Sequence, residues 1–186
     1  MTNYSIALFL HIVGALGFFV ALGLEWVTLR HLRRARTVEQ VREWIRLPAE
    51  MGWVGMVAMV ILLAAGVYMM ITVWGGKAWI IISLGSLVPM SILGMVVSQR
   101  RMVAIERSVT IEHGTVSPTL HQLLWDPLLW LSMQTRVAIA VGIVFIMTVK
   151  PSLSGSLLTI GVAIILGLAP FLLTLSRERA QKETAI

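Results

Sequence analysis

Three ionisable residues stand where the surrounding sequence is almost wholly apolar: His11 and Glu25 in the run 4–29, and Arg136 in the run 128–149. A neutral imidazole is the commonest metal ligand and a frequent axial ligand of haem iron. At 1.5 Å per helical residue, His11 lies about 10 Å inside the first run. Read as a helix, that run places His11, Phe18 and Glu25 seven residues apart on one stripe, with Gly14, Ala15, Ala21 and Leu22 filling the same face. Gly14 and Gly17 are expected to leave room for a flat ligand against the backbone. The competing reading is a histidine hydrogen-bonded to a neighbouring carbonyl.

A second iron ligand is sought at the same depth. His31, His113 and His121 lie outside the apolar runs, so one chain does not supply a bis-histidine site within them. Met69 and Met70 stand about 6–8 Å from the end of the second run, close to the level of His11, and His/Met ligation of haem is known chemistry. Packing is the plainer role for a methionine, and a five-coordinate iron needs none. Glu25 and Arg136 form the other candidate set, a polar pair. A charge at the centre of a membrane helix costs about 2.5–3.5 kcal/mol on insertion scales. Pairing the two lowers that cost, as does aiming Arg136 at a haem propionate, a carboxylate substrate or a proton path. Snorkelling to the surface is the alternative for both.

The elements that must position these residues are five apolar runs, 4–29, 51–74, 78–98, 128–149 and 154–176, each about the 20 residues that cross ~30 Å of hydrocarbon. Hydrophobic residues make up 58% of the 186-residue chain and charged ones 13%, with a mean hydropathy of +0.87. Soluble domains carry roughly twice that charge. Twelve lysines and arginines fall after the first, third and fifth runs and only Lys77 and Lys150 in the other connections. By the positive-inside rule the N-terminus is outside and the C-terminus cytoplasmic. The net charge of +6 is thereby explained by topology and anionic lipid, not by nucleic acid. The first run has no basic stretch before it and is too long for a signal-peptide core, so it reads as a retained span. There is no cysteine, which excludes disulfides, thiolate metal sites and thioether-linked haem. Hydrolase, phosphate-loop, dinucleotide and zinc-protease motifs do not occur.

The connections carry local signals. Thr37 with Gln40 reads as a capping box opening a short helix that Leu47-Pro48 ends. Helix three is expected to continue through Gln99 towards a stop at Gly114. Ser117-Pro118 suits an N-cap and first helical position, and Pro127 reads either as a kink in the helix that follows or as a fresh start capped by Asp126. Gly75-Gly76-Lys77 and Lys150-Pro151-Ser152 read as tight turns joining antiparallel neighbours. Trp125, Asp126, Pro127 and Trp130 read as an interfacial belt. Gly17/Ala21, Gly94/Ser98 and Ala163/Gly167 have the small-xxx-small spacing of close helix contacts.

The segment Leu10-His11-Ile12-Val13-Gly14-Ala15, followed by Gly17-Phe18-Phe19 and the arginines from Arg30 to Arg34, resembles the first helix of several small bacterial membrane families. These are the CopD-like copper resistance domain, the HemJ-type protoporphyrinogen oxidases and related predicted integral membrane proteins. The likeness covers about thirty residues and the span pattern. The chain has Gly17-Phe18-Phe19 where a tryptophan is frequent in those families, and no second histidine in an apolar run. The resemblance implies His11 as an iron or copper ligand and haem b as the cofactor, with copper as the alternative.

The sequence therefore reads as an all-α integral membrane protein, one transmembrane domain over 1–186 forming a five-helix bundle in the bacterial inner membrane. The expected function is haem-b binding with a redox or haem- and porphyrin-handling role, a haem-dependent oxidoreductase activity included. His11 is the ligand, and Gly14, Gly17, Phe18, Met69, Met70 and Arg136 line the site. Expected partners are the lipid bilayer and either a second copy or a membrane redox protein. The alternatives are a non-catalytic subunit or assembly factor, and a copper or small-solute transporter.

Overall fold

Long apolar segments without competing polar partners satisfy their backbone internally, and in this chain they do so as helices. The computed structural model describes residues 3–183, with side chains through residue 171. In chain order the elements are α1 (Asn3–Leu32), α2 (Val38–Met69) with a π-helical turn at Met70–Trp74, and α3 (Ala78–Ile92) with a π-helical stretch at Leu93–Gln99. There follow α4 (Arg100–Ile111), α5 (Pro118–Leu124), α6 (Pro127–Val149) and α7 (Leu153–Glu183). Five helical segments are long and apolar enough to cross a membrane: Asn3–Leu32, Val38–Trp74, Ala78–Ile111, Pro118–Val149 and Leu153–Phe171. They match the five apolar runs. The backbone of Arg177, Arg179 and Lys182 belongs to α7, and their side chains lie outside the described part.

Most local signals are realised. Gln40 N–H donates to Thr37 Oγ1 at 3.3 Å, and Gln40 Oε1 accepts from Arg36 N–H at 2.9 Å, a reciprocal cap displaced by one residue. Ser117 caps α5 through Leu120 N–H, with Pro118 in its first turn, and Asp126 caps α6 through Leu128 N–H at 2.8 Å. Lys150 closes α6 in the left-handed region at φ 54°, and Gly75 and Gly114 turn the chain at φ 64° and 82°.

One boundary is corrected. Leu47-Pro48 does not end a short helix; α2 runs unbroken from Val38 through Pro48 to Met69. Proline removes one helical hydrogen bond and costs about 3 kcal/mol in a helix interior. The turns before it bury Val38, Val41 and Ile45, and that apolar contact outweighs the local rule.

The chain divides into two units. The first comprises Met1–Lys77 and Met102–Trp125. In it α1 and α2 pack antiparallel over most of their length. The segment 109–125 is fastened to the start of α2. Val38 N–H donates to Gly114 O at 2.8 Å, Val116 N–H to Arg36 O at 3.2 Å, and Arg42 Nη2 to Val109 O at 2.6 Å. His31 stacks on Trp44 with ring centroids 3.8 Å apart, and Arg33 lies 5.2 Å from the Trp125 ring. Glu39 stands in the charged first turn of α2, ahead of the apolar stretch. Its own backbone N–H and that of Gly114 hold its carboxyl below the usual carboxylate range.

The second unit comprises Ala78–Arg101 and Asp126–Ile186. Here α6 touches α3, the π stretch and α7. Glycines permit the close passes: a Cβ on Gly167 would stand 2.6 Å from Thr135 Cα, and one on Gly142 would stand 3.1 Å from Ala163 Cβ. Arg101 Nε pairs with Asp126 Oδ2 at 2.5 Å, joining the start of α4 to the cap of α6.

Candidate functional site

The α1–α2 contact is built from small residues in antiparallel register. A Cβ on Gly14 would meet Leu62 N at 2.7 Å and Ala58 O at 2.9 Å; one on Gly17 would meet Ala58 Cβ at 2.9 Å. Further along, a Cβ on Gly55 would meet Ala21 Cβ at 2.9 Å. The backbones approach so closely that no β-carbon fits at Gly14. The room expected there for a flat ligand is taken by α2, so Gly14 and Gly17 serve helix packing.

His11 sits in the same seam, half-buried, at the level of Gly66 and Leu62. Its Nδ1 lies 2.9 Å from Leu62 O. A carbonyl oxygen only accepts, so Nδ1 carries the proton, and in the neutral ring Nε2 keeps the lone pair. Ligating histidines are commonly oriented this way, one ring N–H given to a backbone carbonyl and the other nitrogen left to the metal. The arrangement serves the structure as well, because it satisfies a polar group among apolar ones.

The other expected members fall as follows. Phe18 is half-buried and makes an edge-to-face contact with Phe19, centroids 6.3 Å apart. Met69 is buried, seven residues on from Leu62, so the register sets it level with Ala7, about one turn beyond His11. Met70 begins the π turn, and its carbonyl accepts from Gly75 N–H at 2.7 Å. Neither methionine has a described contact with the imidazole. Among the described residues no three His, Cys, Asp or Glu side chains converge as a metal cage. Glu25 is half-buried and belongs to the first unit, whereas Arg136 belongs to the second.

Arg136 is 9% exposed. Its Nη2 donates to Ser98 Oγ at 3.3 Å and to Met133 Sδ at 3.4 Å, and its Nη1 would lie 3.3 Å from a Cβ on Gly94. Ser98 and Ser132 hydroxyls are 3.1 Å apart, and Ser132 Oγ donates to Leu93 O at 2.9 Å. Leu93, Gly94 and Ser98 all belong to the π stretch, which follows Pro89 in the third span. A π turn pairs its backbone i→i+5 in place of i→i+4, and the carbonyl at its first residue, Leu93, also accepts from a serine of α6.

The donor chemistry of His11 suits the axial position of a haem, whose porphyrin would supply the other four nitrogens, whereas the space expected for the macrocycle beside Gly14 and Gly17 is filled by α2. The residues that sequence reasoning missed are Ala58, Leu62 and Gly66. Gly55, Ala58 and Gly66 lie on one face of α2, but only the antiparallel register of the two helices sets them opposite Ala21, Gly17 and His11. Comparison with family profiles, with curated proteins and with solved structures returns no match for this chain.

Proposed function

We propose that this is a five-span protein of a bacterial inner membrane, N-terminus outside and C-terminus cytoplasmic, that binds haem b through His11 and serves a redox or haem-handling role. The observation that carries the reading is the bond from His11 Nδ1–H to Leu62 O, which leaves Nε2 as the donor nitrogen inside an apolar run. Donor number favours haem over a bare copper ion, since a lone ion needs several protein ligands and the described His, Asp and Glu side chains gather no such set. The resemblance of the Leu10–Ala15 and Gly17–Phe19 segments to HemJ-type and CopD-like first helices supports the same ligand. The arginine asymmetry supports the orientation.

When bound, haem supplies one-electron chemistry. The work of this chain is to hold the imidazole in one orientation, through Leu62 O, and to surround it with apolar side chains that exclude water. The experiment is a visible spectrum of the full-length protein purified after expression with haem supply. A Soret band that vanishes in His11→Ala is expected; a colourless protein, or a band indifferent to that substitution, refutes the reading. A second reading, a non-catalytic membrane subunit, is favoured by the same bond, which satisfies His11 without any ligand. A colourless protein that copurifies with one membrane partner would establish it.

A further inference from the structure

Gly66 is the residue at which the α2 surface opens for the imidazole. A β-carbon there would stand 3.0 Å from His11 Cε1 and 3.1 Å from Nδ1. It lies four residues after Leu62, whose carbonyl takes the ring proton. In an α-helix the Cβ of residue i+4 leans back over the carbonyl of residue i. A glycine at that place therefore does two things at once. It clears the space the ring occupies, and it uncovers the side of the Leu62 oxygen that faces α1.

We infer that Gly66 and the Leu62 carbonyl form a histidine seat that locks His11 in the Nδ1–H tautomer and fixes the direction of its Nε2 lone pair. Gly66 is a positioning residue: it touches no ligand and acts through His11. The class of ligand such a seat serves is a Lewis-acidic metal centre with one open position. That last step rests on the haem reading; the seat itself does not.

The test uses the full-length protein in lipid nanodiscs without added haem, with 15N-labelled histidine. The His11 resonances are assigned by their loss in His11→Gln. Solid-state 15N spectra then report which ring nitrogen carries the proton. The expected wild-type result is a single neutral form protonated at Nδ1. In Gly66→Ala the Nδ1–H population should fall several-fold in favour of the other tautomer or a mixture. Gly55→Ala is the control, because its β-carbon meets Ala21 Cβ at 2.9 Å in the same seam, away from the ring; it should leave the tautomer unchanged.

A wild-type ring protonated at Nε2 overturns the proposal, whether or not Gly66→Ala folds. So does an unaltered tautomer in folded Gly66→Ala, or an equal change in Gly55→Ala. A colourless protein that keeps the Nδ1–H form would remove haem and leave the seat standing. If haem is bound, Gly66→Ala should weaken it by about 10–100-fold, the usual effect of disturbing a group that orients a ligand.

Discussion

His11 and Arg136 are both polar residues of apolar helices, and the two units hold them in opposite ways. His11 rests on the backbone of one neighbouring helix and gives it one proton, which leaves a nitrogen with a lone pair. Arg136 has no lone pair to offer. It is enclosed among Gly94, Ser98 and Met133, and its Nη2 donates to Ser98 Oγ and Met133 Sδ. The surroundings follow the chemistry. An imidazole needs one acceptor, which a mid-helix carbonyl supplies once a glycine uncovers it. A guanidinium needs several, and the third span answers with two features a regular helix lacks, a π stretch and a serine pair bridged to α6. The first arrangement suits a ligand site and the second a structural clamp.

The largest way to break that comparison is to remove the charge from the second unit. Arg136→Met should ease insertion of the fourth span by about 2.5–3.5 kcal/mol in a translocon assay. Its cost within the folded unit should be only about 1 kcal/mol, from ~0.6 kcal/mol for each of its bonds to Ser98 and Met133. A large loss of folding stability would show that the clamp is far stronger than its contacts imply.

Next in size is a contrast between two glycines. At Gly14 a β-carbon meets the backbone of Leu62, which cannot yield, whereas at Gly94 it meets the end of the Arg136 side chain, which can. Gly14→Ala should destabilise by about 1–3 kcal/mol, as overpacking does. Gly94→Ala should cost less than about 1 kcal/mol. Unfolding in mixed detergent micelles measures both, and equal losses would erase the distinction.

A smaller pair of substitutions compares the hydrogen bonds themselves. Ser98→Ala and His11→Phe each delete one such group, and each should cost about 0.6 kcal/mol by the same measurement. Only the second should alter any haem spectrum.

The smallest effect lies outside the apolar stretches. Because the folded state holds the Glu39 carboxyl below its model value of 4.5, its contribution to stability is present above that value. It is lost as pH falls through the lower folded value. A stability profile of wild type against Glu39→Gln should therefore separate at neutral pH and converge under acid. Profiles that stay parallel would contradict the two backbone hydrogen bonds.

The five long apolar helices were legible because hydropathy over about 20 residues is a strong signal. The contacts of Gly17, Ala21, Gly94, Ser98, Ala163 and Gly167 were legible as well. Their spacing marks surfaces where helices meet, and each of these residues stands at a helix contact. Pro48 was misleading, because its local penalty is outweighed by apolar burial in the turns before it. The π stretches left no trace, since no residue pattern demands them. His11 was visible as an anomaly, but its partner was not. A single glycine in an apolar run is unremarkable until the register of two helices brings Gly66 opposite the ring. Gly14 and Gly17 were attributed to ligand space when the same absence of side chain was needed for a second helix.

The most direct test of the ligand assignment is resonance Raman spectroscopy of the haem-loaded, reduced protein prepared with natural and with 15N-labelled histidine. An iron–imidazole stretching band that shifts with the label and disappears in His11→Ala is the expected result. A bound haem whose spectrum lacks that band, or keeps it without His11, would contradict the account.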